Sequence, residues 1–268
     1  MNNLPKTERL ILSFENEWLT ISLHHPETRN SLSQQLTDEI KVTIELIQND
    51  NSIRGVTFRG EGGIFCAGGD LKSFQSGFQG GDDNLSHVIS MSEATGDFFE
   101  MVNSISKPVI MLAEGAAMAG GLGLLCSGDI VIVTEDCKFS LTETTLGIPP
   151  AQIAPYIVGR IGLAKARRIM LTASRFTGKE AFEMGIADYL AKDSDDLRVL
   201  EKEIIKNVMK CAPEANAVTK DIVLGTRNME RKELVKFAAE GFAKQMISDE
   251  GKEGIASFIE KRKPKWSK

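Results

Sequence analysis

The sequence predicts an α/β protein in which short strands alternate with helices. Three observations predict this class: apolar and β-branched runs of strand length, amphipathic runs at helical spacing between them, and glycine-rich turns after the strands. The chain of 268 residues is 42% hydrophobic and 26% charged, a balance typical of a globular protein with a sizeable core.

The first half of the chain contains two predicted cycles of strand and helix. Two short strands are read in RLILSF and WLTISL, with a polar break between them. The next run, LSQQLTDEIKVTIELIQND, places Leu36, Ile40 and Ile44 at helical spacing. A strand, IRGVTFRG, then leads into the glycine-rich GEGGIFCAGGD. The second cycle consists of an amphipathic stretch over about 86–105, the strand PVIMLAEG and another glycine turn.

The second half begins with two more short strands, DIVIVTE and KFSLTE. After TLGIPP the character changes, and helical segments dominate to the end of the chain. Thr177 and Glu180 have the spacing of a capping box, which predicts that a helix begins there.

Composition argues against several classes of protein. The net charge is −5 and no long basic block precedes the C-terminus, so no nucleic-acid footprint is expected. The closing KRKPKW is interpreted as a solvated basic end. The longest apolar run, PVIMLA, ends at Glu114, far short of the ~20 residues that a membrane span requires. The N-terminal stretch lacks the apolar core of a signal peptide, so we expect no membrane association.

Cysteine and histidine usage predicts the compartment and the absence of a metal site. The four cysteines show neither C-x-x-C spacing nor a disulfide framework, and three scattered histidines are too few to indicate metal binding. The chain is therefore expected in the reducing cytoplasm, with no metal.

Glycines gather where the helix after PVIMLAEG should begin, at Gly120, Gly121 and Gly123. Unpaired backbone N–H groups at such a turn favour negative charge. The G-x-G-x-x-G motif of dinucleotide-binding proteins is incomplete here. When the motif is counted from Gly121, Cys126 occupies the position of its third glycine. A phosphate-binding P-loop is excluded because both Gly-Lys pairs are followed by glutamate. Close packing of a helix on a strand remains the alternative.

Two glycine loops, over 66–70 and 117–121, each follow a buried strand. If those strands are neighbours in one sheet, both loops lie at its carboxyl edge, where ligands of α/β folds bind. Two backbone N–H groups could then meet at one point and hold a developing oxyanion.

Four motifs resemble the enoyl-CoA hydratase/isomerase (crotonase) superfamily: HPETRNSLS, GIFCAGGDLK, KPVIMLAEGAAMAGGLGL and FSLTETTLGIPPAQIAPYIVGRIG. They occur in the family's order over nearly the whole chain. The resemblance implies a ββα spiral with a C-terminal helical trimerisation region, which we divide into a catalytic domain over 1–200 and an oligomerisation region over 201–268. A homotrimer or a dimer of trimers is implied.

The resemblance also implies the site residues. The oxyanion donors would be the backbone N–H groups of Gly69 and Gly120, and the catalytic carboxylate would be Glu143, as the proton donor to C2. Coenzyme A enters as part of the substrate, so no metal or redox cofactor is implied. Gly69 and five further residues would lie beside the adenine and pantetheine of CoA. The five are Arg29, Ala67, Asp70, Leu71 and Lys72.

One departure from the family pattern leaves the reaction open. Hydratases of the family usually carry two glutamates, and the first maps to Gly123 in this chain. An isomerase that moves a double bond between C3 and C2 needs one carboxylate only, which favours isomerisation by Glu143 alone. The segment PPAQIAPYIVGRIGLAKARRIMLTASRF instead resembles hydratases of glutaconyl-type thioesters. The carboxylate of such a substrate would help hold the water that is added. Gln152 or Arg160 would bind this carboxylate.

The primary expectation is therefore a 2-enoyl-CoA hydratase acting on a branched or glutaconyl-type acyl-CoA. The alternatives are a Δ3,Δ2-enoyl-CoA isomerase and an acyl-CoA-binding protein that has lost catalysis. Other residues are given structural interpretations: Glu114 as a hydrogen-bonding residue, Cys66 and Cys126 as inert core thiols, and Tyr156 as core packing.

Overall fold

Two sheets organise the computed structural model, which describes residues 4–70 and 83–267. In the larger sheet the order is β1-β2-β3-β4-β6-β9, and in the smaller it is β5-β7-β8. In the larger sheet only β1 and β2 pair antiparallel. The other strands of this sheet run parallel to β2, so their carboxyl ends lie at one edge. The strands are β1 (Leu10–Glu15), β2 (Trp18–Leu23), β3 (Gly55–Gly60), β4 (Val109–Ala113), β5 (Ala116–Met118), β6 (Ile130–Thr134), β7 (Lys138–Ser140), β8 (Phe176–Thr177) and β9 (Tyr189–Ala191).

Nine α-helices lie within the described ranges, and their alternation with the strands confirms the predicted α/β class. The capping box is also confirmed, because the Thr177 side chain and the Glu180 side chain each bond the other's backbone N–H. The helices are α1 (Gln34–Asn49), α2 (Asp83–Asn103), α3 (Gly120–Cys126), α4 (Ala154–Thr172), α5 (Gly178–Met184), α6 (Ser194–Val208), α7 (Pro213–Gly225), α8 (Arg231–Ile247) and α9 (Asp249–Ile259). None of the helices in the described part of the chain is long and apolar enough to span a bilayer.

Apolar side chains cover both faces of the larger sheet. On one face, Val56 and Phe58 of β3 join the main core with the inward residues of α1 and α2. On the other face, Ile110 of β4 packs in a smaller cluster with Leu197 and Ile204 of α6. Burial on both faces holds the sheet rigid, and the loops at its carboxyl edge are therefore firmly placed.

The C-terminal helices are tied to the sheet domain by the buried side chain of Arg54. Its guanidinium donates to the carbonyl oxygens of Cys211 at 2.7 Å and Trp266 at 3.2 Å. The indole N–H of Trp266 donates to the Lys210 carbonyl at 3.1 Å, and Arg262 pairs with a nearby glutamate at 2.6 Å. The basic side chains of KRKPKW are exposed, as the interpretation of a solvated end predicts, but the segment is also held against the sheet domain through Trp266. Helix α6 runs across the predicted domain boundary at 200/201.

Candidate active site

The two glycine loops lie at the same sheet edge and are hydrogen-bonded to each other. The prediction of a shared carboxyl edge required the strands before the two loops to be neighbours in one sheet. They are, because β3 and β4 pair in parallel. In the loops, the Cys66 N–H donates to the Ala116 carbonyl at 3.1 Å, and the Met118 N–H donates to the Cys66 carbonyl at 3.0 Å. The two loops therefore form one bonded unit.

The first loop is shaped by Asn30, which the sequence analysis assigned no role. Its fully buried amide donates to the carbonyl oxygens of Glu61 at 2.9 Å and Ile64 at 2.7 Å. Beside it, the Ala67 N–H donates to the Arg29 carbonyl at 2.9 Å, which brings two of the predicted CoA-binding residues together. An asparagine directly after the PETR turn was the available signal, because asparagine tolerates positive φ and bonds nearby backbone.

Of the other predicted CoA-binding residues, Asp70 is half-buried at the end of the described loop. Leu71 and Lys72 lie outside the described residues. Their proposed contact with CoA therefore stays a prediction.

The second loop passes from β5 into α3 and approaches the first loop closely. A Cβ added to Gly121 would lie 2.4 Å from the carbonyl oxygen of Cys66, so only glycine fits there. The packing explanation of the glycine cluster is therefore correct for Gly121. It does not explain Gly120, whose added Cβ would make only ordinary contacts of 3.4 Å or more.

Gly69 and Gly120 meet where the two loops converge. A Cβ on Gly120 would lie 3.5 Å from the backbone nitrogen of Gly69, and a Cβ on Gly68 would lie 3.6 Å from the backbone nitrogen of Gly120. Among the described residues, neither the Gly69 nor the Gly120 N–H donates to a protein acceptor. Two unpaired donors at one point can hold an oxygen that gains negative charge.

Glu143 reaches the same edge through the smaller sheet. Strand β7 runs parallel to β5, with Met118 opposite Ser140, and the Ala119 N–H donates to the Ser140 carbonyl at 2.8 Å. Glu143 begins a 3-10 turn (Glu143–Leu146) just after β7, as Gly120 begins α3 just after β5. The donor loop and the carboxylate therefore leave neighbouring parallel strands in the same direction.

The environment of Glu143 suits proton transfer. Its Oε2 atom is buried and accepts no hydrogen bond from the described residues. Burial raises the pKa of the carboxyl above the usual value for glutamate, because the charged form loses hydration. A carboxyl with a raised pKa and one unpaired oxygen can both give and take a proton.

The wall beside Gly123 is apolar. An added Cβ on Gly123 would lie 2.2 Å from Cγ2 of Ile153 and 3.5 Å from a ring carbon of Phe99. The space into which a side chain at position 123 would project is therefore filled. Tyr156 packs behind this wall, 6.0 Å from Phe99 between ring centroids, and its hydroxyl donates to Glu100, as its interpretation as core packing requires.

Both candidate partners for a substrate carboxylate make side-chain hydrogen bonds within the protein. Arg160 forms an ion pair with Asp188 at 2.8 Å and donates to the Gly128 carbonyl at 2.8 Å, so its guanidinium is committed to the scaffold. These contacts favour a structural role for Arg160, and binding of a substrate carboxylate by this residue stays a hypothesis. Gln152 is adjacent to Ile153 and donates to the Ser92 hydroxyl on α2 at 3.0 Å.

The remaining candidates have structural surroundings. Glu114 accepts a hydrogen bond from the Ser194 hydroxyl, as expected for a structural residue. Burial raises the pKa of the Cys66 and Cys126 thiols to about 12, so neither is a ready nucleophile.

Comparison with known proteins places the chain in a family. The model of the family "Enoyl-CoA hydratase/isomerase" matches residues 13–268. A protein of Bacillus subtilis named "Probable enoyl-CoA hydratase" is 30% identical over 247 residues, covering 92% of this chain and 93% of that protein. Among solved structures, AtuE of Pseudomonas aeruginosa has a TM-score of 0.92 at 38% identity, with 97% of this chain and 100% of that chain covered.

A second solved structure, an enoyl-CoA hydratase/isomerase from Marinobacter aquaeolei, has a TM-score of 0.91 at 39% identity and covers 97% of this chain and 99% of that chain. The chain belongs to the enoyl-CoA hydratase/isomerase family and has the crotonase fold. The fold implied by the motif resemblance is confirmed.

Proposed function

We propose that the protein is a 2-enoyl-CoA hydratase that acts on a branched or glutaconyl-type acyl-CoA. One observation carries the proposal: two unpaired backbone donors, at Gly69 and Gly120, converge at the sheet edge from which Glu143 also emerges, with one buried and unpaired carboxyl oxygen. The family supports acyl-CoA chemistry, and relatives such as the Bacillus subtilis protein are named as hydratases.

In the proposed reaction, the thioester oxygen accepts hydrogen bonds from the Gly69 and Gly120 N–H groups. The negative charge that develops on this oxygen is stabilised there, and each such donor is typically worth roughly 3–4 kcal/mol. The hydroxyl of water bonds to C3, and C2 takes the proton held by Glu143. The remaining proton of the attacking water returns to the Glu143 carboxylate, which closes the cycle.

CoA is part of the substrate, so the proposed reaction requires no metal or redox cofactor. Its adenine and pantetheine would lie along the first glycine loop. The backbone contact between Arg29 and Ala67 supports this placement, because it gives the loop a fixed shape beside the Gly69 donor.

A second candidate function is Δ3,Δ2-enoyl-CoA isomerisation. It is favoured by the apolar wall at Gly123, where Ile153 fills the space that a second carboxylate would need. A double-bond shift can use Glu143 alone, since one carboxyl removes a proton from C2 and returns it to C4. For the hydratase, the carboxylate of a glutaconyl substrate would instead help hold the water, with the Gln152 amide as its partner.

We also infer a cytoplasmic homotrimer or dimer of trimers. The C-terminal helices expose an unusual number of large apolar side chains, of which Phe258 is the most exposed at 87%. A second copy of the chain would cover them, and light scattering of the purified protein would give the mass of the assembly. The others on α8 and α9 are Val235, Phe237, Phe242, Met246, Ile247, Ile255 and Ile259.

The deciding experiment incubates the protein with crotonyl-CoA, a 3-enoyl-CoA and 3-methylglutaconyl-CoA, and identifies the products by mass. Hydration adds the mass of water, whereas isomerisation leaves the mass unchanged and moves the double bond. We expect hydration, fastest with 3-methylglutaconyl-CoA. Equal kcat/KM for crotonyl-CoA and 3-methylglutaconyl-CoA would contradict substrate assistance. No turnover of any thioester would favour an acyl-CoA-binding protein.

A further inference from the structure

Ala119, the residue before the Gly120 donor, has a backbone conformation that alanine rarely adopts. Its φ is +48° and its ψ is −122°. This is the mirror image of an extended conformation, a region that glycine occupies readily and side-chain-bearing residues avoid. The other alanine with positive φ, Ala173, has φ +45° and ψ +33°, which is the milder left-handed helical region. Ala119 is therefore strained in a way that Ala173 is not.

Several fixed contacts impose this strain on Ala119. Its N–H donates to the Ser140 carbonyl at 2.8 Å, which ties it to the strand before Glu143. Its carbonyl accepts from the N–H groups of Leu122 at 2.9 Å and Gly123 at 3.2 Å, which fixes the start of α3. Strain of this kind persists only where surrounding structure overdetermines the conformation, and it is concentrated at functional sites.

The methyl group of Ala119 also lies beside the other donor loop. A Cβ on Gly68 would lie 3.0 Å from the Ala119 Cβ, so the methyl group occupies the space that a side chain on Gly68 would need. The residue before one donor therefore lies beside the residue before the other, which links the placement of the two loops.

We propose that Ala119 is a positioning residue, whose methyl group and strained backbone hold the Gly120 N–H in register with the Gly69 N–H for one oxygen. The proposal rests on the proposed oxyanion function of these two groups. A small displacement of a donor is costly, because hydrogen bonds weaken steeply with distance and angle. Conformational strain is retained at Ala119 because relaxing it would misplace the donor.

The test is Ala119→Gly, with Ala173→Gly as the matched control. Glycine adopts both conformations without strain, so neither variant should melt below the wild type by more than the small entropic penalty of glycine. We expect Ala119→Gly to lower kcat about ten- to a hundredfold with KM nearly unchanged, because the donors lose their fixed register. Ala173→Gly should keep wild-type kcat.

A binding measurement separates this proposal from the proposed function. Acetoacetyl-CoA forms an enolate that carries negative charge on the thioester oxygen, and its near-ultraviolet absorbance reports how far the site stabilises that charge. We expect wild type and Ala173→Gly to raise the enolate fraction, and Ala119→Gly to raise it much less at equal binding of CoA.

Equal enolate fractions and equal kcat in wild type and Ala119→Gly would overturn the role of Ala119 alone. A parallel fall in melting temperature and activity would also overturn it, because a merely structural role predicts that pattern. If the wild type binds acetoacetyl-CoA without stabilising the enolate, the oxyanion function and the role of Ala119 both fail.

Discussion

Gly121 packs so closely on Cys66 that an added Cβ would come within 2.4 Å of the Cys66 carbonyl oxygen. At Gly120 the nearest atoms to an added Cβ are 3.4 Å away or more, and one of them is the Gly69 nitrogen. Neighbouring glycines in one turn are therefore required for different reasons. Gly121 allows two backbones to approach, whereas Gly120 leaves the space between two donors open.

We therefore expect alanine at position 121 to lower mainly the stability of the protein, and alanine at position 120 to lower mainly its activity. Gly121→Ala should lower the free energy of unfolding by about 1–3 kcal/mol, because backbone must move to admit the methyl group. Gly120→Ala should change stability little but lower kcat by about 10²-fold, since the methyl group obstructs the donor pair. Urea unfolding and steady-state kinetics on both variants would check this, and wild-type turnover in Gly120→Ala would contradict the oxyanion assignment.

Glu143→Gln should lower turnover by about 10²–10⁴-fold while CoA binding stays near wild type, because the amide keeps the shape but cannot transfer the proton. The measurement is kcat with the best substrate, alongside the dissociation constant of CoA. Glu114→Gln is a suitable comparison, since that carboxyl bonds Ser194 and lies outside the proposed chemistry. Activity of Glu143→Gln within a few-fold of wild type would remove Glu143 from the mechanism.

The same Glu143→Gln variant should be more stable than the wild type near neutral pH. Burial raises the pKa of Glu143 in the folded protein, so the folded state binds the proton more tightly than the unfolded state. Wild-type stability therefore falls as pH rises from the ordinary glutamate pKa through the raised value, and the loss persists above it. Melting curves from acid to neutral pH should show the gap between variant and wild type widening over that interval. A constant gap would show that Glu143 ionises normally.

Gly123→Glu should destabilise the protein by about 1–3 kcal/mol, because its Cβ would overlap Ile153. Adding Ile153→Ala makes room for the new side chain. We expect the double variant to hydrate crotonyl-CoA faster than either the wild type or Ile153→Ala alone, since a water-positioning carboxylate is then supplied. A double variant that folds well and gains no hydration of crotonyl-CoA would show that water positioning does not limit the wild-type enzyme.

Arg54→Ala should lower the free energy of unfolding by about 2–4 kcal/mol, because it leaves the carbonyls of Cys211 and Trp266 without their charged donor. Urea unfolding measures the change. Lys41→Ala is the control, since its exposed pairing with Asp38 at 3.8 Å should be worth less than about 1 kcal/mol. Equal losses in the two variants would mean that docking of the C-terminal segment contributes little.

Local features of the fold could be predicted from the sequence because they are encoded over a few neighbouring residues. The spacing of Leu36, Ile40 and Ile44 predicts α1, and all three side chains are buried. The capping box at Thr177 and Glu180 likewise needs only a span of four residues. Strand runs followed by glycine turns also predicted the sheet edge at which the two loops meet.

Contacts between distant segments could not be predicted in this way. Nothing in the spacing of Gly123 and Ile153 shows that one side chain fills the space beside the other, since that depends on how α3 and α4 pack. The same holds for Arg54, which lies before β3 yet holds the C-terminal segment. The strain at Ala119 is equally hidden, because alanine gives no sequence signal of a positive φ.

The pairing of Cys66 with Ala117 has a consequence for how the protein folds. It joins segments far apart in the chain, and the parallel strands around it can pair only after long crossover connections have closed. Such non-local pairing is slow to form. The donor pair should therefore be among the last features to assemble during refolding, and recovery of enoyl-CoA turnover should lag behind recovery of helical circular dichroism.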